Sequence, residues 1–325
     1  MKIPQKILSL FAVASLFSVS SLFAVETDPV GYITFNAADA VDTKFGLPME
    51  RPAVLATSVD GVTSGTVSVS VDASAATDSH YLQFSSGALA GQWFQVSSST
   101  SDSIVVAEDL EALGASAGDT FRVIPFWTLS ALFGTDFPVS TDIFTPIAQV
   151  LGNDVVSVGV NKAPVSNYAY HDGSSFIIGA GWFDVSNPFA GSKDDEILAP
   201  NTFITIRNQS GSQISLVLPG AVPTVELSTG IASDASSAND NLVYNPYPAD
   251  IELELSSLRD VVDTSTDIFN PLTQVVVYES FSGLNPSPTA NYAYHDGSSF
   301  IIGAGWFDVS NPFAGDKATV TIPQG

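Results

Sequence analysis

The 325-residue chain carries one 25-residue sequence twice. Residues 167–191 and residues 291–315 both read NYAYHDGSSFIIGAGWFDVSNPFAG, with no difference, at an offset of 124. A fold for this chain must therefore place the same local structure in two positions. The segment STDIF stands upstream of each block, at residues 140–144 and 265–269, at an offset of 125. One residue is thus gained or lost between STDIF and the block. Farther upstream, residues 123–133 lie opposite 243–258 with weaker likeness. Two related units follow a distinct first one. Packed cores tolerate Ile/Val and Phe/Tyr exchanges, so packing alone does not enforce identity over 25 positions, and recent copying of the segment is the more economical explanation.

The residues between turns read as strands. Residues 66–71 alternate Thr/Ser with Val, the period-two pattern that sends valines to a core and hydroxyls to water. Short β-rich runs follow at residues 80–84, 92–96, 103–106 and 120–124, separated by Gly/Ser/Asp turns, and residues 27–35 (TDPVGYITF) predict a first strand. Strands about ten residues apart with such punctuation predict a sandwich or small barrel. Residues 108–113 and 128–133 each predict one helical turn. In the second unit, TFITIR at 202–207 and ISLVL at 214–218 flank a Gln-Ser-Gly-Ser turn and predict a hairpin. In the third, residues 322–325 stand opposite residues 198–201, which lead into that hairpin, so this unit is expected to be incomplete or to present an open edge, a pairing site for another chain.

Composition narrows the chemistry. The chain has no Cys, 10 Lys and Arg, 34 Asp and Glu, and a net charge of -24. Disulfide frameworks, thiol catalysis, Cys-ligated zinc and iron–sulfur clusters are excluded. Sparse, scattered basic residues argue against nucleic acid as a partner. Residues 1–24 read as a secretory signal peptide: Lys2 and Lys6, an apolar run broken only by serines, and Ala24 at the cleavage position. No later stretch is apolar enough to predict a transmembrane anchor once the signal is removed. The expected address is the extracellular space or outer cell surface, with the periplasm as the alternative.

The set TDPVGYITF, SSGALAGQWFQVSSST, AGDTFRVIPFWTLSALFG and DEILAPNTFITIR, spread over residues 27–220, resembles a family of secreted, β-rich proteins without established function, expanded in verrucomicrobial-type bacteria. The resemblance implies an exported β protein. It implies no activity, cofactor or catalytic residue.

Candidate site residues come from the repeated block. Tyr168, Tyr170 and Trp182, with Tyr292, Tyr294 and Trp306 in the second copy, could stack on sugar rings or fill a core. The adjacent pair Trp182-Phe183 must point to opposite faces of a strand, which leaves one ring for solvent or a neighbouring unit. Ser, His and Asp all occur in YHDGS, but consecutive residues cannot converge as a catalytic trio, and Asp172-Gly173 predicts a hairpin tip. Asp184, Asp194, Asp195, Glu196, Asp308 and Asp316 lack the spacing of a calcium loop, so no metal or other cofactor is expected. Asp172 and Asp184 are the repeated carboxylates nearest to a hydrolase pair.

The expectation is an all-β, modular protein of antiparallel sandwich or small-barrel units with an internal repeat. The units are 25–125, 126–229 (first copy) and 230–325 (second copy, incomplete at its C-terminus). The leading functional reading is a secreted, non-enzymatic structural or adhesive protein whose partners are extracellular polysaccharide, cell-envelope components or further copies of itself. A glycan-binding module and a carboxylate-dependent hydrolase are the alternatives.

Overall fold

The computed structural model describes residues 29–134, 136–152, 163–174, 178–231, 240–278, 287–298 and 302–324. The signal sequence expected at 1–24 lies outside the described residues. The fold is all-β, with three single-turn α-helices and one 3-10 turn among the described residues. The two helical turns predicted at 108–113 and 128–133 form as Leu110–Leu113 and Leu129–Phe133. Each is nucleated by a side-chain cap: Asp109 accepts the Ala112 N–H and Thr128 accepts the Ala131 N–H.

A seven-stranded antiparallel sheet occupies the first third. Its order is Leu55–Ser58, Thr120–Pro125, His80–Phe84, Trp93–Ser99, Ser103–Val106, Thr66–Ser68 and Gly61–Thr63. The alternation at 66–71 works as read at its start: Val67 and Val69 enter a core with Leu82, Phe84, Ile104 and Phe121, and only Val71 returns to solvent.

The second sheet is assembled from distant segments. Its central path runs Val139–Ser140, Ser166–Asp172, Ala148–Gly152, Ile204–Asn208 and Val41–Phe45, with Ala180–Asp184 on the far side of Ser166–Asp172. Val139–Ser140 lies parallel to Ser166–Asp172, so pairing is not antiparallel throughout. The predicted hairpin partner Ile214–Ala221 pairs over eight residues with Val30–Ala37, and this two-stranded ribbon packs Ile33, Ile214, Leu216 and Leu218 against Val150, Ile204, Ile206 and Trp182. Residues 30–45 are thus hydrogen-bonded to the 204–221 region, although in chain order they precede the first unit. Their closure is fixed by polar contacts as well. Arg207 makes a bidentate ion pair with Asp42 at 3.0 and 2.9 Å, and buried Asn208 donates to the carbonyls of Ala37 and Ser212.

The third sheet has three strands, Val275–Val277, Ala290–Asp296 and Ala304–Asp308, all antiparallel. It keeps the wiring of the second. Ile251–Glu252 pairs with Thr321–Ile322 as Trp127–Thr128 pairs with Ile197–Leu198. Leu253 N–H donates to Val320 as Leu129 N–H donates to Glu196. Ser265 bridges His295 in parallel, as Ser140 does His171.

The junction between the first sheet and the ribbon contains a buried ion pair. Glu50 exchanges two backbone hydrogen bonds with Ala221. Its carboxylate receives Arg122 Nη2 at 2.7 Å, and the same nitrogen donates to Gln83 at 2.7 Å. Nearby, Tyr244 lies flat over Gly46, where a Cβ would come within 2.3 Å of the ring, and donates its hydroxyl to Leu47. Removing one partner from a buried ion pair strands the other charge. Glu50→Ala is expected to lower unfolding free energy by about 3–5 kcal/mol in urea titrations. The double change Glu50→Leu with Arg122→Met is expected to recover most of that loss.

Candidate functional site

The repeated block forms the same two-stranded unit twice, and its register decides which side chains share a face. Tyr168 stands opposite Asp184 and Tyr170 opposite Trp182, on one face; Ala169 stands opposite Phe183 and His171 opposite Gly181, on the other. The second copy repeats each pair.

The first face is interior. Trp182 and Trp306 are each 1% exposed. Trp182 packs on Phe133 and Phe137, and Tyr170 meets it edge-on at 5.6 Å, as Tyr294 meets Trp306 at 5.5 Å. Tyr168 and Tyr292 are buried, and Tyr170 and Tyr294 are half-buried. In each copy the three aromatic candidates join the core of their own unit, the tryptophan and one tyrosine buried and Tyr170 or Tyr294 partly exposed at its margin. The second face is also covered: Phe183 packs with Ile143 and Ala169 and meets His171 edge-on, and Phe307 does the same with Ile268, Ala293 and His295. Trp182 and Phe183 point to opposite faces as read, and both faces are closed.

The polar groups of the block are engaged by backbone. His171 Nδ1 accepts the Gly173 N–H at 2.8 Å, which leaves the proton on Nε2. The Ser174 side chain and then the Ser174 N–H, both bonded to Asp172, hold its carboxyl below the usual range. Asp184 accepts the Ser186 N–H and Asp194 the Trp182 N–H. The paired register ends at Asp172 opposite Ala180, so Asp172-Gly173 opens a connection longer than a two-residue turn. Asp172 and Asp184 sit at opposite ends of the paired strands, about 13 Å apart by strand rise. A glycosidase pair needs about 5–10 Å, and the fold does not bring them together. Among the described residues no three His, Asp or Glu side chains converge on a common point.

Burial would raise Glu196, but hydrogen bonds from Tyr168 at 2.7 Å and Lys193 at 3.0 Å outweigh it and hold its carboxyl below the ordinary value. The Tyr168 hydroxyl is pushed up to about 12, first by burial and then by its bond to Glu196.

Accessible aromatic surface is supplied by other residues of the repeat. Phe189 and Phe313 are exposed, as are Phe144 and Phe269 of the STDIF segments. Phe313 helps line an open hollow of about 340 Å³, with Gly303, Gly305, Pro312 and Asp316 also in its wall. Gly305 and Gly181 both have positive φ, and a carboxylate stands over each: Asp316 over Gly305 and Asp194 over Gly181. Those acids come from non-equivalent sequence positions, so alignment of the two copies conceals their shared placement. The hollow was signalled in the sequence only by the Asn-Pro-Phe that closes each block.

No protein-family model matches the chain, and no curated protein or solved structure matches it significantly.

Two measurements test this placement. Trp182→Ala and Trp306→Ala are expected to cost about 3–5 kcal/mol each by opening cavities, whereas Phe313→Ala leaves the urea midpoint nearly unchanged. In an alkaline absorbance titration, Tyr168 and Tyr244, the latter also raised to about 12 mainly by burial, ionise later than an ordinary tyrosine near 10. A pKa raised on folding means the associated stability is complete below pH 10 and is lost as pH climbs toward 12.

Proposed function

We propose that this chain is an exported, non-enzymatic protein of the extracellular space or outer cell surface, with a structural or adhesive role. One observation carries the reading: the densest chemistry in the sequence, repeated residue for residue, supports the framework in both copies. Its tryptophans are core, and its imidazoles and principal carboxylates hold backbone N–H groups. A net charge of -24 would keep such units soluble and mutually repelling. The signal-like leader and the resemblance to secreted β-rich proteins support the address.

A second reading has its own observation. The hollow beside Phe313 is lined by an exposed ring, glycines and the Asp316 carboxylate, a combination suited to stacking on a sugar and accepting its hydroxyl hydrogen bonds.

Fractionation of cells expressing the tagged chain tests the first reading: recovery in the envelope or medium, with no turnover on a polysaccharide panel, is the expected result, and retention in the cytoplasm overturns it. A glycan array tests the second. Binding lost in Phe313→Ala but kept in Phe144→Ala places the ligand in the hollow.

A further inference from the structure

The two copies of the block are followed by different triplets. Residues 192–194 read Ser-Lys-Asp, and residues 316–318 read Asp-Lys-Ala. The lysines are equivalent: Lys193 N–H donates to the Trp182 carbonyl at 2.8 Å, and Lys317 N–H to the Trp306 carbonyl at 2.9 Å. The acid follows the lysine in the first copy and precedes it in the second.

That exchange changes the fate of one backbone donor. Trp182 stands opposite Tyr170, and Trp306 opposite Tyr294. The Tyr294 carbonyl is taken on its far side by the Ser265 N–H, so Tyr294 and Trp306 form a pair without cross-strand bonds. Both main-chain polar groups of Trp306 therefore point away from its partner strand, as its carbonyl does in accepting Lys317. In the first copy the outward Trp182 N–H donates to Asp194 Oδ1 at 2.9 Å, and Ser192 Oγ donates to Asp194 Oδ2 at 2.8 Å. In the second copy Ala318 stands at the place of Asp194 and has no side-chain acceptor. Asp316 instead accepts the Ala318 N–H at 3.0 Å. Among the described residues no acceptor takes the Trp306 N–H.

The open donor has a carboxylate for a neighbour. Asp316 Oδ1 lies 3.3 Å from the point that a Cβ on Gly305 would occupy, and the Trp306 N–H is the next group along the chain. Gly305, Trp306 and Asp316 all line the hollow that Phe313 shares. A single atom that accepts from the N–H and donates to the carboxylate must be a hydroxyl oxygen. A ligand carboxylate or phosphate would meet Asp316 as a like charge, and an ammonium has no acceptor for the N–H. The exposed Phe313 ring in the same wall offers an apolar face on which a sugar ring can stack.

We infer that the hollow of the third unit binds a neutral sugar, one hydroxyl of which bridges the Trp306 N–H and the Asp316 carboxylate while its ring lies on Phe313. In the first copy Asp194 occupies the donor and closes the equivalent place. The inference rests on the sugar-binding reading of this hollow. It adds the ligand's charge class and confines binding to one of two identical blocks.

The test screens the full chain on an array of neutral and uronate oligosaccharides and titrates the best-bound neutral one by calorimetry. One site per chain is expected, with neutral oligosaccharides preferred. Ala318→Asp, which supplies the missing acceptor, should weaken binding about tenfold or more, with an unchanged unfolding midpoint. The double change Ser192→Asp with Asp194→Ala gives the first copy the second copy's triplet at constant net charge, and it should raise the stoichiometry to two. This gain does not depend on how Ala318→Asp folds. Binding that is lost in Phe313→Ala but kept in Ala318→Asp overturns this inference and leaves the sugar-binding reading standing. A preference for uronates, or a stoichiometry that stays at one in the double variant, also overturns it. Absence of binding to any oligosaccharide overturns both.

Discussion

The strand Ile204–Asn208 is the element on which the rest of the architecture depends. It pairs with Ala148–Gly152 on one side and on the other with Val41–Phe45, which lies more than 150 residues away in sequence. Closing loops of that size is entropically costly, and the compensation is visible. Ile204 and Ile206 are buried in the largest mixed cluster, Arg207 is clamped to Asp42, and Asn208 ties Ala37 to Ser212. Once this strand is in place, the residues between Val41–Phe45 and Ala148–Gly152 must leave the sheet and return to it. The seven-stranded sheet is therefore an insertion within its neighbour, and the Glu50–Arg122 pair sits where the excursion begins.

The same strand explains why two stretches of identical sequence are not equally embedded. The block encodes a strand pair with tryptophan on one face and His–Phe on the other, and it folds that way in both copies. What it does not encode is its neighbour across Ala148–Gly152 or Val275–Val277. Differences in burial between the copies arise beyond the identical residues.

Strand existence was legible in the sequence, because alternation and turn residues are local signals. The runs at 66–71, 80–84, 202–207 and 214–218 correspond to strands that form. Partner choice was not legible. Nothing in TDPVGYITF states that Val30–Ala37 pairs with Ile214–Ala221, since a period-two pattern identifies a face and leaves the adjoining strand undetermined. The aromatic candidates show the matching limit for a site. Trp182 and Phe183 had to face opposite ways, and the sequence could not tell that Phe133 and Phe137 close one face while Ile143 and Ile178 close the other. The carboxylates over Gly181 and Gly305 were hidden for a related reason: the acid occupies a common place in space from a shifted place in the chain.

The pairing of Val30–Ala37 with Ile214–Ala221 has a mechanical consequence. Val30 lies opposite Ala221, and Val222 N–H donates to Pro29, so the two chain directions leave this ribbon side by side. Tension applied between residue 29 and the third unit loads the Val30–Ala221 end of the ribbon together with the bonds that tie Ser228 to Gly91 and Tyr244 to Leu47. The geometry is that of a zipper, in which rungs open in succession instead of resisting together in shear. Under pull, the ribbon opens from its Val30–Ala221 end only as the bonds of Glu50 to Ala221 and of Ser228 to Gly91 let go, so the inserted sheet shares the load at that end.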